Sequence, residues 1–405
     1  MLKDNIFALD LGTTKFCIAA LICRGRARPG IEVVEVPARG MRRGMLSNLE
    51  EAAEGINQLL EKAEDQFNTP IKKVVVGVAG SHLRGRLISL STELDHAEVR
   101  QICIKNLIRL AGQEARSADR EILHTVPVGY QVDNREWTDH PLGFSGGRLT
   151  GRFYVIDADQ KYLLDIIKIC NRCGLEVAHL YSEPFASATV TVPDDKKALG
   201  VALADIGGGT TDGIVFAGGK PVDSFTINVG GRMMTSDLAI GLALQPEEAE
   251  KIKVYFGLEL SEQERSIRVR NIHDQEVTVT PADVYPVLGP RILELGSLLA
   301  EALMPHKGKL AGIMLTGGGA EVQGLSRFLS RSYRVHVEKS QPTLEHNHLT
   351  RNADGHQKKF ATKHATVFGL LNLEISRRSS REATANSSWP RHYLGQFFNW
   401  VKEMS

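Results

Sequence analysis

Two segments of this chain, nearly two hundred positions apart, carry the same set of chemical groups. Ile6-Phe7-Ala8-Leu9-Asp10-Leu11-Gly12-Thr13-Thr14-Lys15 is an apolar run, an aspartate, then a glycine and hydroxyl turn. Val201-Ala202-Leu203-Ala204-Asp205-Ile206-Gly207-Gly208-Gly209-Thr210-Thr211-Asp212 repeats the plan in mid-chain. Glycines let backbone N–H groups approach anionic oxygens closely, and the hydroxyls add donors. An aspartate ending each strand is suited to a hydrated magnesium ion. That chemistry fits phosphate, and two copies imply two similar halves closing on one nucleotide. Either segment alone is equally an ordinary tight turn.

A third element, Gly312-Ile313-Met314-Leu315-Thr316-Gly317-Gly318-Gly319-Ala320, is again a strand followed by a glycine turn, and Val322 to Phe328 can begin a helix. Three strand-to-glycine turns in this order resemble the actin/Hsp70/sugar-kinase ATPase superfamily. That resemblance implies that the first two turns hold the phosphates and that the third lies near the adenosine.

The elements that must position these turns can be read from periodicity. Strands are expected at Ile6–Leu11, Phe16–Ile22, Ile31–Val36, Lys72–Ala79 and Leu175–Leu180, with helices at Leu49–Phe67 and Gln160–Cys173. From about 83 to 157 the pattern departs from this plan. It holds a polar segment, a helix near Glu98–Ala115, and strands near Glu121–Val132 and Arg148–Ile156, the content of an inserted subdomain. The second half reads as strands Gly213–Phe216 and Val222–Val229, helices Met233–Leu242 and Pro246–Phe256, strand Val277–Pro281, a long helix Ala282–Leu303, strand Leu310–Leu315 and a helix His364–Glu374.

Bulk properties exclude several classes. A chain of 405 residues with 42% hydrophobic and 24% charged residues is long enough for more than one core. Its net charge of +1 leaves no global nucleic-acid footprint. Five cysteines are too few and too irregular for a disulfide framework. Cys170 and Cys173 form a lone CxxC on a helical pattern, which reads as two thiols on one helix rather than a metal site. No apolar stretch is long enough to span a bilayer, and the first strand begins too early for a signal peptide, so a cytoplasmic location is expected.

Residues 376–388 are rich in serine and arginine (Arg377, Arg378, Arg381) and read as a flexible linker. In the tail that follows, 389–405, Trp389, Tyr393, Phe397, Trp400, Val401 and Met404 recur at three- and four-residue spacing, with Leu394 and Phe398 widening the stripe. Such a short aromatic amphipathic helix is suited to lie in a membrane interface. The alternative is a helix that docks on the body or on a partner.

A nucleotide fold ending in a tethered aromatic helix resembles the FtsA family of bacterial division proteins over nearly the whole chain. Arg172-Cys173-Gly174-Leu175, Glu183-Pro184-Phe185-Ala186-Ser187-Ala188 and Thr235-Ser236-Asp237-Leu238-Ala239 fit its pattern, besides the three glycine motifs. The implied fold is α/β, an actin/Hsp70-like duplicated ATPase fold with an inserted FtsA-type 1C subdomain. Subdomain 1A would take 1–82, 158–197 and a return at 351–375. The insertion 1C would take 83–157, 2A would take 198–227 and 306–350, and 2B would take 228–305.

The resemblance implies ATP and Mg2+ in the cleft. Gly12, Thr13, Thr14, Gly207, Gly208, Gly209, Thr210 and Thr211 would hold phosphates, with Lys15 offsetting their charge, Asp10 and Asp205 on the metal, and Gly317, Gly318 and Gly319 against the adenosine. Glu250 and Lys253 match ribose or adenine contacts of relatives; the alternative is a solvated helix face. Glu183 sits where relatives orient the attacking water, and turnover would be slow at most. The implied role is a polymerising adaptor that tethers FtsZ to the inner face of the cytoplasmic membrane at the septum and recruits other division proteins. Its partners would be the FtsZ C-terminal peptide, met by Arg265, Arg268, Arg270 and Arg291, further copies of itself in a filament, and lipid. Competing readings are a pilus-assembly-type actin-like adaptor, a superfamily metabolite kinase, and an Hsp70-type chaperone, for which no substrate domain remains.

Overall fold

The computed structural model describes residues 4–23, 29–95, 97–258, 265–344 and 359–385, with side chains of the last segment described to 379. Two five-stranded sheets follow one plan. In the first, Ile6–Leu11, Lys15–Ile22 and Gly30–Pro37 form an antiparallel meander, and Lys73–Val78 then Glu176–Ser182 add in parallel beyond Ile6–Leu11. In the second, Val201–Ile206, Thr211–Ala217 and Lys220–Ile227 form the meander, and Gly312–Thr316 then Val337–Lys339 add in parallel. Both opening strands are buried along their whole length, as the apolar runs require of a central strand covered on both faces.

Helix Leu49–Phe67 covers the first sheet. Asn48 caps it by accepting from the N–H groups of Glu50 and Glu51, and Asn68 ends it in the left-handed conformation. Its Ile56, Leu59, Leu60 and Ala63 are buried in the core of the first half.

Parallel neighbours need long crossovers, and the two halves fill them differently. In the first half, the chain between Lys73–Val78 and Glu176–Ser182 builds a separate three-stranded sheet. Arg148–Asp159 is its centre, flanked by Leu83–Glu93 and Arg120–Val132. Helix Gln101–Glu114 packs on it, and Leu107, Ala111, Leu149, Phe153 and Val155 form its own core. Leu83–Glu93 corrects the expected polar segment. It is an 11-residue strand whose Ile88 and Leu90 pack on this core while Ser89 and Ser91 face outward. A half-buried strand needs only alternate apolar residues, so its composition looks polar.

In the second half, the crossover from Lys220–Ile227 to Gly312–Thr316 holds helices Gly231–Gly241, Pro246–Phe256 and Pro281–Leu303 and a small hairpin, Ile267–Arg270 with Glu276–Val279. A short helix, Asp194–Leu199, joins the halves and escapes the sequence reading. The helix after the third glycine turn begins at Leu325, later than Val322, because Gly318–Glu321 forms a 3-10 turn first.

The terminal helix runs Ala365–Ala385, so the expected linker is helical up to Ala385. Glu374 explains the extension. Its fully buried carboxylate accepts from Arg377 Nε at 2.7 Å and Nη2 at 2.6 Å, from Arg378 Nε at 2.7 Å and from the Tyr181 hydroxyl at 3.2 Å. Arg377 and Arg378 are therefore committed to the body rather than available to lipid. The aromatic tail 389–405 lies outside the described residues. No described helix is long and apolar enough to cross a membrane.

Candidate functional site: the cleft between the halves

A cavity of about 1090 Å³ lies between the two sheets, large enough for a nucleotide. The two duplicated turns face each other across it. Strand register shows how closely they correspond: Asp10 pairs with Cys17 and Asp205 with Asp212, so both turns span the same number of residues. They also interlock. A Cβ on Gly208 would stand 2.3 Å from Thr14 Cγ2, and one on Gly209 would stand 2.7 Å from Thr13 Oγ1. The second turn is glycine where the first needs room for its threonines.

Four carboxylates form the floor: Asp10, Glu183, Asp205 and Asp212. Each is held by its own fold element. Asp205 accepts from Ser187 Oγ at 2.7 Å and from Thr366 Oγ1 at 3.2 Å. Asp212 accepts from Thr226 Oγ1 at 2.6 Å, Thr210 Oγ1 at 2.7 Å and the Gly80 N–H at 3.3 Å. Asp10 stands 3.7 Å from Lys15 Nζ. Glu183 opens helix Glu183–Thr191 beside Gly77, where a Cβ would meet it at 2.8 Å.

Burial pushes all four carboxylates above the usual carboxylate range. Asp205 rises to about 6, with its bond from Ser187 opposing the shift. Glu183 rises well above its ordinary value through burial and the neighbouring Asp10, Asp212 and Asp205. Asp10 and Asp212 also rise, held back by Lys15 and by the threonine donors respectively. Concentrated, desolvated negative charge of this kind calls for a cation.

The third turn completes the wall. Gly317 has φ +83°, and a Cβ there would stand 2.3 Å from Asp205 Oδ1, so only glycine allows this passage. Lys253 is buried, and its Nζ donates to Gly231 O at 3.2 Å, Thr235 Oγ1 at 2.9 Å and Glu250 Oε2 at 2.6 Å. A solvated helix face is thus excluded for Lys253, while Glu250 is exposed at the cavity edge.

Among the expected nucleotide residues, the structure gathers Asp10, Gly12 to Lys15, Glu183, Asp205, Gly207 to Thr210, Glu250, Lys253 and Gly317 to Gly319 around this one cavity. Thr211 is the exception. It is fully buried outside the lining, and its hydroxyl donates to Val229 O at 2.8 Å. Alternation along strand Thr211–Ala217 turns Thr211 away and Asp212 inward.

Sequence reasoning gave no role to Asp212, although it closes the quoted motif; only the strand register sets it opposite Asp205. It also missed Arg232, whose Nη1 donates to Thr13 O at 3.4 Å. A third omission is the small hairpin Met41–Arg42 with Met45–Leu46. There the Gly44 N–H donates to Thr13 Oγ1 at 2.9 Å, and the Tyr162 hydroxyl donates to Gly44 O at 2.9 Å.

The arginines expected to meet an acidic peptide are already engaged. Arg291 bonds Asp237 at 2.5 and 3.0 Å, Arg270 bonds Asp274 at 2.7 Å, Arg268 stands 3.9 Å from Glu276, and Arg265 lies over the Tyr255 ring at 4.4 Å. Cys170 is buried, and the Cys173 thiol contacts the Ala53 carbonyl oxygen at 3.6 Å.

A family model described as cell division protein FtsA matches residues 202–365, and one described as an SHS2 domain inserted in FtsA matches residues 80–157. The cell division protein FtsA of Escherichia coli is 27% identical over 422 residues, covering 100% of this chain and 97% of that protein. Among solved structures, a chain of the PilM–PilN type IV pilus biogenesis complex superposes with a TM-score of 0.64 at 17% identity, covering 92% of this chain and 99% of that one. MreB5 of Spiroplasma citri bound to ADP superposes with a TM-score of 0.56 at 14% identity, covering 93% and 98%. These likenesses establish an actin-like fold and do not separate its functions. The inserted sheet and the sequence do separate them: the cell division protein FtsA of Pseudomonas aeruginosa is 31% identical over 83% of both chains, and this chain belongs to the FtsA family of cell division proteins.

Proposed function

We propose that the chain binds ATP with magnesium between its halves and works as a polymerising adaptor that tethers FtsZ filaments to the cytoplasmic face of the inner membrane at the septum. The observation that carries the reading is the floor of four buried carboxylates beneath two interlocked glycine turns. The donor set fits a hard divalent ion, which takes oxygen ligands and commonly retains water. Asp10 and Asp205 would hold it, with Asp212 as a further carboxylate. Once bound, the ion supplies positive charge that offsets both the floor and the phosphates.

The chain's own residues do the rest. Backbone N–H groups of Gly12–Thr14 and of Gly208 and Gly209 would face the phosphates, the Gly207 N–H being spent on Thr210 O at 2.9 Å, and Lys15 would add charge. Gly317–Gly319, Glu250 and Lys253 border the nucleoside end. Glu183 is the group to orient an attacking water. A cation among these acids would favour the ionised form of Glu183 that such a role needs. Solved MreB5 structures bound to ADP and to AMPPNP, with the same fold, support a nucleotide in this cleft.

Division partners follow from the family. The finer assignments are an FtsZ C-terminal peptide docking on 228–305, filament contacts through 83–157, and lipid contact through Trp389, Tyr393, Leu394, Phe397, Phe398, Trp400 and Val401. The peptide would have to compete for arginines already paired, so its binding is expected to be salt-sensitive.

Co-sedimentation with anionic lipid vesicles tests the adaptor role. The full chain with Mg-ATP is expected to pellet, and a double Phe397→Ala, Trp400→Ala variant is expected to stay in solution while binding ATP normally. Pelleting of the double variant to the same extent would sink the tethering role.

A further inference from the structure

Four cations line the cleft: Lys15, Arg232, Lys253 and Lys363. Three already have carboxylates. Lys15 faces Asp10 at 3.7 Å, Lys253 bonds Glu250 at 2.6 Å, and Lys363 bonds Glu35 at 2.5 Å. Arg232 has no carboxylate partner among the described residues. Its one side-chain bond among the described residues is the 3.4 Å contact to the Thr13 carbonyl, long for a hydrogen bond. A guanidinium has five N–H donors in a rigid fork suited to phosphate oxygens.

Its placement is fixed by the backbone. Arg232 lies in the first turn of helix Gly231–Gly241. The Gly231 N–H donates to Gly207 O at 2.9 Å and the Arg232 N–H to Gly208 O at 2.8 Å. The residue is thus bolted to the second glycine turn. Its side chain crosses to Thr13, in the first turn and the other half. Among the cleft-lining cations it is the one held by one turn while touching the other.

We propose that Arg232 is the group that distinguishes a nucleoside triphosphate from a diphosphate, its guanidinium leaving the Thr13 carbonyl to bind the terminal phosphate and so drawing the two halves together. This rests on the nucleotide reading of the cleft. A charge-assisted, bidentate bond to phosphate is stronger than the long bond it replaces, so the exchange favours the ligand carrying the outermost phosphate. The side chain is exposed, so replacing it is expected to leave the fold intact.

The test is the affinity of the full chain for Mg-ATP and Mg-ADP, read by displacement of a fluorescent nucleotide, in wild type, Arg232→Lys and Arg232→Gln. Arg232→Gln is expected to lose about tenfold in ATP affinity while ADP affinity stays within about twofold, the size of one charged hydrogen bond. Arg232→Lys, keeping the charge without the fork, is expected to fall between. An equal loss for both nucleotides, or no loss for either, overturns the role of Arg232 and leaves the nucleotide site standing. No binding of either nucleotide by the wild type overturns both.

Discussion

The two halves of this molecule share a strand plan and a turn length yet line the cleft between them by opposite means. The positions that are Thr13, Thr14 and Lys15 in the first turn are Gly208, Gly209 and Thr210 in the second, counting from the paired Asp10 and Asp205. The first turn offers side-chain hydroxyls and a cation. The second offers bare backbone at Gly208 and Gly209, one hydroxyl at Thr210 that is committed to Asp212, and in Asp212 a second acid where the first has the buried, uncharged Cys17, its thiol pushed up to about 12 by burial. The difference has a steric origin: two turns with side chains cannot approach within contact distance, and one must be glycine. The shared plan therefore gives the architecture, and the glycines at 208 and 209 give the two turns room to meet.

The sharpest way to break this complementarity is to fill the second turn. Gly208→Val places a branched side chain where even a Cβ stands 2.3 Å from Thr14 Cγ2. ATP affinity, measured by calorimetry, is expected to fall by about ten- to a hundredfold, since a clash of this kind costs about 1–3 kcal/mol and also blocks backbone approach to phosphate. Thr14→Gly in the same molecule is expected to restore part of the loss. Unchanged affinity in the single variant would mean that the turns do not meet around a ligand.

A smaller effect separates the acids of the two halves. Asp205 has a folded pKa raised to about 6 from 3.8. A carboxylate raised on folding contributes stability fully present below its unfolded pKa and lost as pH rises through its folded one. The window is therefore about pH 4 to 6. Without nucleotide or magnesium, raising the pH from 4 to 7 is expected to cost the wild type about 2 °C more in Tm than Asp205→Asn, by scanning calorimetry. Magnesium is expected to recover that difference at pH 7 in the wild type only. Identical pH profiles for the two proteins would show that Asp205 ionises as freely folded as unfolded.

The smallest expected effect tests the hydroxyls of the first turn. Thr13→Val keeps the shape but leaves the Gly44 N–H without its 2.9 Å acceptor, which should destabilise the protein by about 1 kcal/mol in urea. Thr13→Ser should restore most of it. If Val is as stable as Thr, the small hairpin is held by its own strand pairing, by the bonds to Gly40 O and by Tyr162, and not by the Thr13 hydroxyl.

Much of this was legible in the chain because it is local. An apolar run buried on both sides, an aspartate at a strand end and a glycine turn are encoded within a dozen consecutive residues, and helix Leu49–Phe67 announces itself by period and by its asparagine cap. The strand Leu83–Glu93 was not legible, because half its residues face solvent and its arginines resemble a loop. Nor was the helical continuation to Ala385. Its sequence has linker composition, and it is stabilised by Arg377 and Arg378 closing on a glutamate buried against Tyr181, nearly two hundred residues away.

By itself the sequence determined the duplicated motif, the aspartates, the third turn and the family. The tertiary structure alone decided that Thr211 turns away while Asp212 turns in, that Ser187 and Thr366 fix Asp205 from distant parts of the chain, and that Arg232 reaches from one half to the other. The physical reason is range. Turn chemistry and periodicity act between neighbours in sequence, whereas the charge and fit of a cleft depend on groups that only the packing of two sheets brings together.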